Sequence, residues 1–233
     1  MIRNLTTSQT VHAAAEALLA DVEALPIANT PALRALRRSL SMRWRDRAPS
    51  FIVGVARELQ LRHVHRWLGY ELIRYHEAAF ATLNDTRLRE LSRGLDSWDV
   101  VDAFARIVSG PAWVRGLISD AQIDRWAASA DRWKRRTALV STVALNMKAD
   151  GGAGDPERTL AVCGKLAGDR DDMVEKALSW ALRALVGCDP AAVRRFMATE
   201  DARLGARVKR EVRNKLATGL KQKRHAGGKR GKP

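Results

Sequence analysis

Three segments of the chain begin in the same way, and their spacing limits what the chain can fold into. They read LDSWDVVDA, ADRWKRRTA and DRDDMVEKA. Trp98 precedes Trp133 by 35 residues, and Trp133 precedes Met173 by 40. Each segment places Asp or Ser where it can cap a helix, and a small residue follows about five positions after the Trp or Met. A helical unit that recurs every 35–40 residues is therefore expected in the second half of the chain.

Helical periodicity extends beyond these repeats, because apolar residues recur at spacings of three and four and no alternating strand pattern is found. Helices are expected at 8–25, 30–44, 49–60, 63–79, 84–93, 97–108, 111–116, 120–129, 131–147, 155–167, 171–187, 189–198 and 201–218. The pattern predicts an all-α, HEAT-like α-α superhelix, or solenoid, with a concave basic face formed by the second helix of each pair. An ordinary helical bundle is the alternative.

Length and charge predict one folded domain with a basic extension. The 233 residues carry a net charge of +15, which favours a polyanionic partner, first nucleic acid and second an acidic membrane surface. We expect a single helical-repeat domain over 1–218 and a basic disordered tail over 219–233. From Arg207 to the end there are eleven Lys and Arg residues and one acid, Glu211.

The remaining composition indicates an intracellular protein. Cys163 and Cys188 have no CxxC spacing and are expected to be core thiols in a reducing compartment. No signal peptide and no membrane-spanning helix are expected. These features predict a monomer in bacterial cytoplasm, associated with the nucleoid and without membrane contact.

The first repeat places a carboxylate on a mostly apolar helix of a basic protein. Asp96 or Ser97 can cap this helix, and Asp99 suits the positive end of its dipole. Asp102 lies too deep in the helix to cap it and shares a face with Trp98 at i, i+4 spacing. It either pairs with a local arginine or acts on something cationic.

The later repeats place tryptophan beside arginine. In WKRR, Trp133 is three residues before Arg136 and next but one to Arg135. In EKALSWALR, Trp180 is three residues before Arg183. These pairs are compatible with core packing beside a solvated face. They are also compatible with indole faces that hold cationic groups and arginines that hold phosphates.

In their order and separation, SWDVVD, WKRRTA and EKALSWALR resemble the AlkD-like DNA alkylation repair glycosylases, most clearly over 95–187. The resemblance implies a concave, basic surface that grips duplex DNA containing alkylated bases. It also implies hydrolysis of the N-glycosidic bond of 3-methyladenine and 7-methylguanine, with no base flipping, no cofactor and no metal.

The same resemblance assigns roles to residues of this chain. Asp102 becomes the catalytic carboxylate, and Trp98 and Trp180 become aromatic groups at the lesion. Arg136, or alternatively Arg135, becomes the contact with the DNA backbone, and Arg183 an auxiliary contact. A non-catalytic HEAT-repeat protein that recognises damaged or branched DNA is the alternative, and a protein-binding solenoid with an RNA-binding tail is a second one.

Chemistry gives independent reasons for this assignment. A base alkylated at N3 or N7 leaves as a neutral molecule, so the reaction requires no general acid. It requires stabilisation of an oxocarbenium-like sugar and a positioned water, and one carboxylate can provide both.

Two further motifs remain open. The HVH sequence at His63–His65 lacks a ligand partner at the usual spacing, so a helix surface is favoured over a metal site. The basic segment Met42–Arg47 is either the end of an amphipathic helix or a further phosphate contact.

Overall fold

The fold is all-α, as the sequence predicts. A computed structural model describes residues 7–221, with side chains from Thr10, and this part of the chain contains no strand. The helices are α1 Thr7–Glu23, α2 Thr30–Arg43, α3 Pro49–Leu61, α4 Arg66–Arg74, α5 Glu77–Ala81, α6 Asp85–Leu91, α7 Trp98–Phe104, α8 Gly110–Val114, α9 Asp120–Ala127, α10 Arg132–Leu145, α11 Pro156–Leu166, α12 Asp172–Val186, α13 Pro190–Thr199 and α14 Ala206–Thr218. The chain forms two compact units, one ending at Gln122 and the other beginning at Ile123.

The first unit is organised around α3 and α4. Helix α3 packs against α1 and α5, whereas α4 packs against α2 and α7. Helix α3 also packs against α4, and Leu59 of α3 and Leu68 of α4 are fully buried. The helices approach closely because Gly69 has no side chain: a Cβ at this position would lie 3.0 Å from Ala56 Cα.

In the second unit, the repeat predicted from the sequence is visible as stacking. Helices α10, α12 and α14 pack in succession, and α11 lies against both α10 and α12. Trp133 and Met173 each occupy the second position of their helix. Asp131 and Asp171 cap these helices, since their carboxylates accept hydrogen bonds from the amides of Trp133 and Met173, both at 2.9 Å. Equivalent Asp caps thus begin equivalent helices of the α-α repeat, as in a HEAT-like solenoid.

The single helix expected at 63–79 is two helices, α4 and α5. His63 and His65 have φ values of 58° and 43°, a left-handed conformation that delays the start of α4. The break between α4 and α5 lies at Tyr75 and His76, where His76 Nδ1 accepts a hydrogen bond from the Ala79 amide at 3.0 Å. Histidine is an unusual cap, so this position carries no standard stop signal in the sequence.

The helices expected at 97–108 and 111–116 imply a break at Gly110-Pro111, which does not occur because the helix widens instead. Residues Ala105–Ser109 form a π-helical turn that joins α7 to α8. The Gly110 amide donates to the Ala105 carbonyl, five residues back. Proline has no amide hydrogen and its ring conflicts with the carbonyl four residues earlier, so the wider turn accommodates Pro111 within a helix.

Three other expectations differ from the structure or lie beyond it. Helix α14 begins at Ala206, five residues later than predicted, after a turn that buries Leu204. Cys163 is buried as expected, but Cys188 is exposed because it follows the end of α12, where its Sγ lies 3.4 Å from the Asn146 carbonyl. Most of the basic tail predicted at 219–233, from 222 onwards, lies outside the described residues.

Within residues 7–221, no helix is both long enough and apolar enough to cross a membrane.

Candidate functional site

The carboxylate and the indole singled out in the first repeat lie on α7. Trp98 is the first residue of the helix and is 57% exposed, and Asp102, one turn later, is partly buried. The opposite face is anchored in the core, where Phe104 meets Tyr70 edge to face with ring centroids 5.4 Å apart. Because Val101 and Phe104 are fully buried, the Trp98–Asp102 face is held towards the surface.

The turn between α6 and α7 is held by two side chains that the sequence does not single out. Arg66 donates to the Gly94 carbonyl at 2.5 Å. Gln60 donates to the carbonyls of Glu90 at 2.9 Å and Arg93 at 3.0 Å. Both side chains are buried, Gln60 on α3 and Arg66 on α4. These two helices therefore hold in place the segment that leads into Trp98. Neither residue stands in a recognisable motif, and their role depends on tertiary packing.

The structural roles predicted for the polar residues around Trp98 are partly confirmed. Ser97 occupies the N-cap position with extended backbone, although its side chain makes no capping hydrogen bond. Asp99 lies in the first turn, where its charge suits the helix dipole. Asp102 is the acid on this helix that neither role explains, and the π-helical turn begins three residues after it.

In the second unit, Arg135 is committed to contacts within the protein. Its Nε donates to Asp169 Oδ2 at 2.6 Å, and its Nη1 donates to the carbonyls of Ser129 at 3.1 Å and Ala130 at 2.7 Å. The side chains of Arg135 and Asp169 are 19% and 13% exposed. This arginine therefore joins the turn before α10 to the turn before α12.

Arg136 connects the same two helices from a more buried position. It is 5% exposed, and its Nη1 donates to the Met173 carbonyl at 2.5 Å in the first turn of α12. The choice between Arg135 and Arg136 as a backbone contact stays a prediction. In this structure both guanidinium groups hold α10 against the start of α12.

The two remaining candidates lie on α12, and both are partly buried. Arg183 Nε donates to Ser179 Oγ at 3.2 Å, and Ser179 Oγ donates to Glu211 Oε2 at 2.7 Å. Burial lowers the pKa of Arg183, and the Glu211 carboxylate acts in the opposite direction. Trp180 is on the same helix, three residues before Arg183.

Glu211 was noted in the sequence only as the one acid in a basic stretch. It is buried on α14, and its Oε1 lies 3.6 Å from Lys221 Nζ. Its burial could have been predicted from its position between Val208 and Val212, which are both fully buried. A carboxylate on the apolar face of a helix usually has a cationic partner, here Arg183.

Each unit therefore carries part of the predicted set. The first holds Trp98 and Asp102 on one helix, and the second holds the candidate arginines and Trp180 on the adjacent helices α10 and α12. Among residues 7–221, no group of three His, Cys, Asp or Glu side chains is arranged to hold a metal ion.

The sequence was compared with known proteins and with family models. No curated protein matches the sequence closely enough to count as a relative. A family model described as "DNA alkylation repair enzyme" matches residues 28–216, which include all the candidate site residues. Because this match spans most of the sequence, the chain belongs to the DNA alkylation repair enzyme family.

Proposed function

We propose that the protein is a DNA glycosylase that hydrolyses the N-glycosidic bond of positively charged alkylated purines in duplex DNA. The substrates would be 3-methyladenine and 7-methylguanine, removed without base flipping as the first step of base excision repair. The observation that carries this proposal is the pair on α7: an exposed indole and a carboxylate one turn apart, on a helix whose other face is locked in the core.

The chemistry suits a single carboxylate. As the bond between C1′ and the base breaks, both electrons go to the base, which leaves neutral, and positive charge develops on the deoxyribose. Asp102 would stabilise that charge. Its carboxylate would also hold, by a hydrogen bond, the water that attacks C1′, and would accept the proton that this water loses. The face of Trp98 would add attraction for the cationic sugar edge, because the ring quadrupole is negative there.

The second unit would supply the grip on the strand. Arg183 is partly exposed and makes its contacts through Nε, so its terminal nitrogens are the better placed donors for a phosphate. Arg135 and Arg136 would act chiefly by holding α10 and α12 together, given the partners described above. Trp180 would provide the second aromatic wall at the lesion.

The decisive experiment compares the wild-type protein with Asp102→Asn on methylated duplex DNA. We expect wild type to release 3-methyladenine and 7-methylguanine, and the variant to release them slower by a factor on the order of 10² or more. Binding to undamaged duplex should be at least as tight in the variant, because a charge that repels phosphate is removed. Released bases are quantified by chromatography, and binding by fluorescence anisotropy.

Asp99→Asn is the matched control, since it removes the same charge from the same helix three residues earlier. This variant should retain excision within a few-fold. Equal loss of excision in both variants would mean that excision depends on the total charge of α7 and not on the position of Asp102. Absence of excision by wild type with intact DNA binding would favour the alternative, a non-catalytic HEAT-repeat protein that recognises damaged or branched DNA.

A further inference from the structure

Helix α2 and the turn after it concentrate positive charge away from the candidate site. The segment 30–47 contains six arginines and one acid, Asp46. Leu33, Leu40 and Trp44 face the core, and Trp44 packs edge to face on Phe51 with ring centroids 5.3 Å apart. The helix is thereby fixed, and its opposite side points to solvent. This side, which we name the α2 outer face, consists of Arg34, Arg38, Met42 and Arg45.

An ordinary solvent face does not account for this composition. Exposed helix faces usually mix acids and bases at i, i+4 spacing, whereas Arg34 and Arg38 are like charges at that spacing and destabilise a helix. Within the described residues, Arg38 forms no ion pair, and Arg45 has only the highly exposed Asp46 beside it, at 3.1 Å. Helix-dipole stabilisation applies only to the last turn, so it leaves Arg38 unexplained.

The two arginines of α2 that pair with Glu71 show what a structural role looks like. Arg37 is 11% exposed, and its Nε donates to the buried Glu71 at 3.1 Å. Arg34 shares that carboxylate at 3.3 Å while remaining 55% exposed. In the second unit, Lys176, Arg207 and Lys209 each pair with an aspartate. On the α2 outer face, by contrast, Arg38 has no ion pair within the described residues, and the partner of Arg45 is the highly exposed Asp46.

We infer that the α2 outer face is a binding surface for the phosphate backbone of duplex DNA, separate from the residues that act on the lesion. Arg38 lies on α2 and Arg45 in the turn that follows it, and the two would contact phosphates on either side of Met42. Met42 is 71% exposed, and its apolar side chain can lie against deoxyribose between the two phosphates. The choice of duplex DNA as the partner rests on the proposed function.

The test replaces Arg38 and Arg45 together by glutamine in the full chain. The control replaces Arg194 and Arg195 of α13 by glutamine, an equal loss of charge at two exposed arginines that form no ion pair within the described residues. Binding to an undamaged duplex is measured by anisotropy at several salt concentrations. We expect the slope of log affinity against log salt to become shallower by about 2 for the α2 variant, and to change little for the control.

Equal slope changes in the two variants would overturn the inference, since net charge alone would then explain them. So would an α2 variant that binds DNA like wild type but loses binding to vesicles of phosphatidylcholine and phosphatidylserine. Thermal melting of both variants tests whether the fold is retained. Because the duplex carries no lesion, the result is independent of excision: a failure of the proposed glycosylase activity would be seen only with methylated DNA.

Discussion

Single residues of one type serve different purposes in this chain, and arginine illustrates this best. Arg135 is surrounded by oxygen acceptors of the protein, whereas Arg38 forms no ion pair within the described residues. The sequence places both in basic, helical segments. Burial and partners, which depend on tertiary packing, separate a structural arginine from one available to a ligand.

Replacement of Arg135 by alanine should destabilise the protein by about 3 kcal/mol, since it leaves the mostly buried Asp169 carboxylate without its cation. Arg135→Lys should recover only part of this loss, because an ammonium group cannot reach the carboxylate and both carbonyls in the same fork geometry. The measurement is the free energy of unfolding from urea titration.

Arg132→Ala is the control on the same helix. Its ion pair with Asp171 spans 3.5 Å and its side chain is 52% exposed, so the loss should stay below about 1 kcal/mol. If Arg135→Ala instead keeps full stability and weakens DNA binding as strongly as Arg183→Ala, Arg135 is a DNA contact and the structural assignment is wrong.

The sequence alone predicts that Trp98 and Asp102 lie on one face of a helix, because i, i+4 spacing on a helix determines a shared face. It does not predict the hydrogen-bond partners of Glu211, Gln60 and Arg66. Their partners lie on other helices or in the turn after α6, between 28 and 33 residues away, and no local sequence pattern operates over that distance. Sites within one helix can thus be predicted from spacing, and networks between helices cannot.

At the scale of helices, most positions follow from caps and breakers, and the errors have local causes. The Asp caps of α10 and α12 were predicted and are present. The break at His76 was missed because its imidazole substitutes for a usual capping group. Gly110-Pro111 was read as a stop because the sequence does not show that a π-helical turn can absorb a proline.

Ion pairs of α12, of α14 and of the turn before α14 should make the second unit acid-sensitive. Asp172 pairs with Lys176 and Arg207, and Asp201 with Lys209 and Arg213. Hydrogen bonds from Lys176 and Lys209 are the main reason that the pKa values of these two carboxyls are lowered. A lowered folded-state pKa contributes stability above the unfolded-state pKa, which is lost as pH falls through the folded value.

We therefore expect the melting temperature to fall as the pH is lowered from about 5 towards 2, around and below the ordinary aspartate pKa of about 4. The double variant Asp172→Asn, Asp201→Asn should have a lower melting temperature at neutral pH and a weaker dependence on pH in this range. Parallel curves for wild type and variant would show that these carboxyls do not contribute. Calorimetry at several pH values provides the measurement.

At the scale of the whole molecule, the two cysteines report on folding. Burial raises the pKa of the Cys163 thiol, so little reactive thiolate forms, whereas Cys188 is exposed. A thiol reagent at neutral pH should label one cysteine per native chain and two in denaturant, as counted by mass spectrometry. Cys188→Ser should abolish native labelling, and rapid native labelling of Cys163 would contradict the buried position in the structure.

The π-helical turn also has a consequence for insertions and deletions. Such a turn holds one residue more than an α-helical turn, and each residue advances a helix by about 100°. Loss of one residue within Ala105–Ser109 would therefore rotate the Trp98–Asp102 face by about that angle relative to α8. The orientation of this face is set by the number of residues between Asp102 and Pro111, so a variant of altered length could keep every site side chain and still direct them away from the DNA.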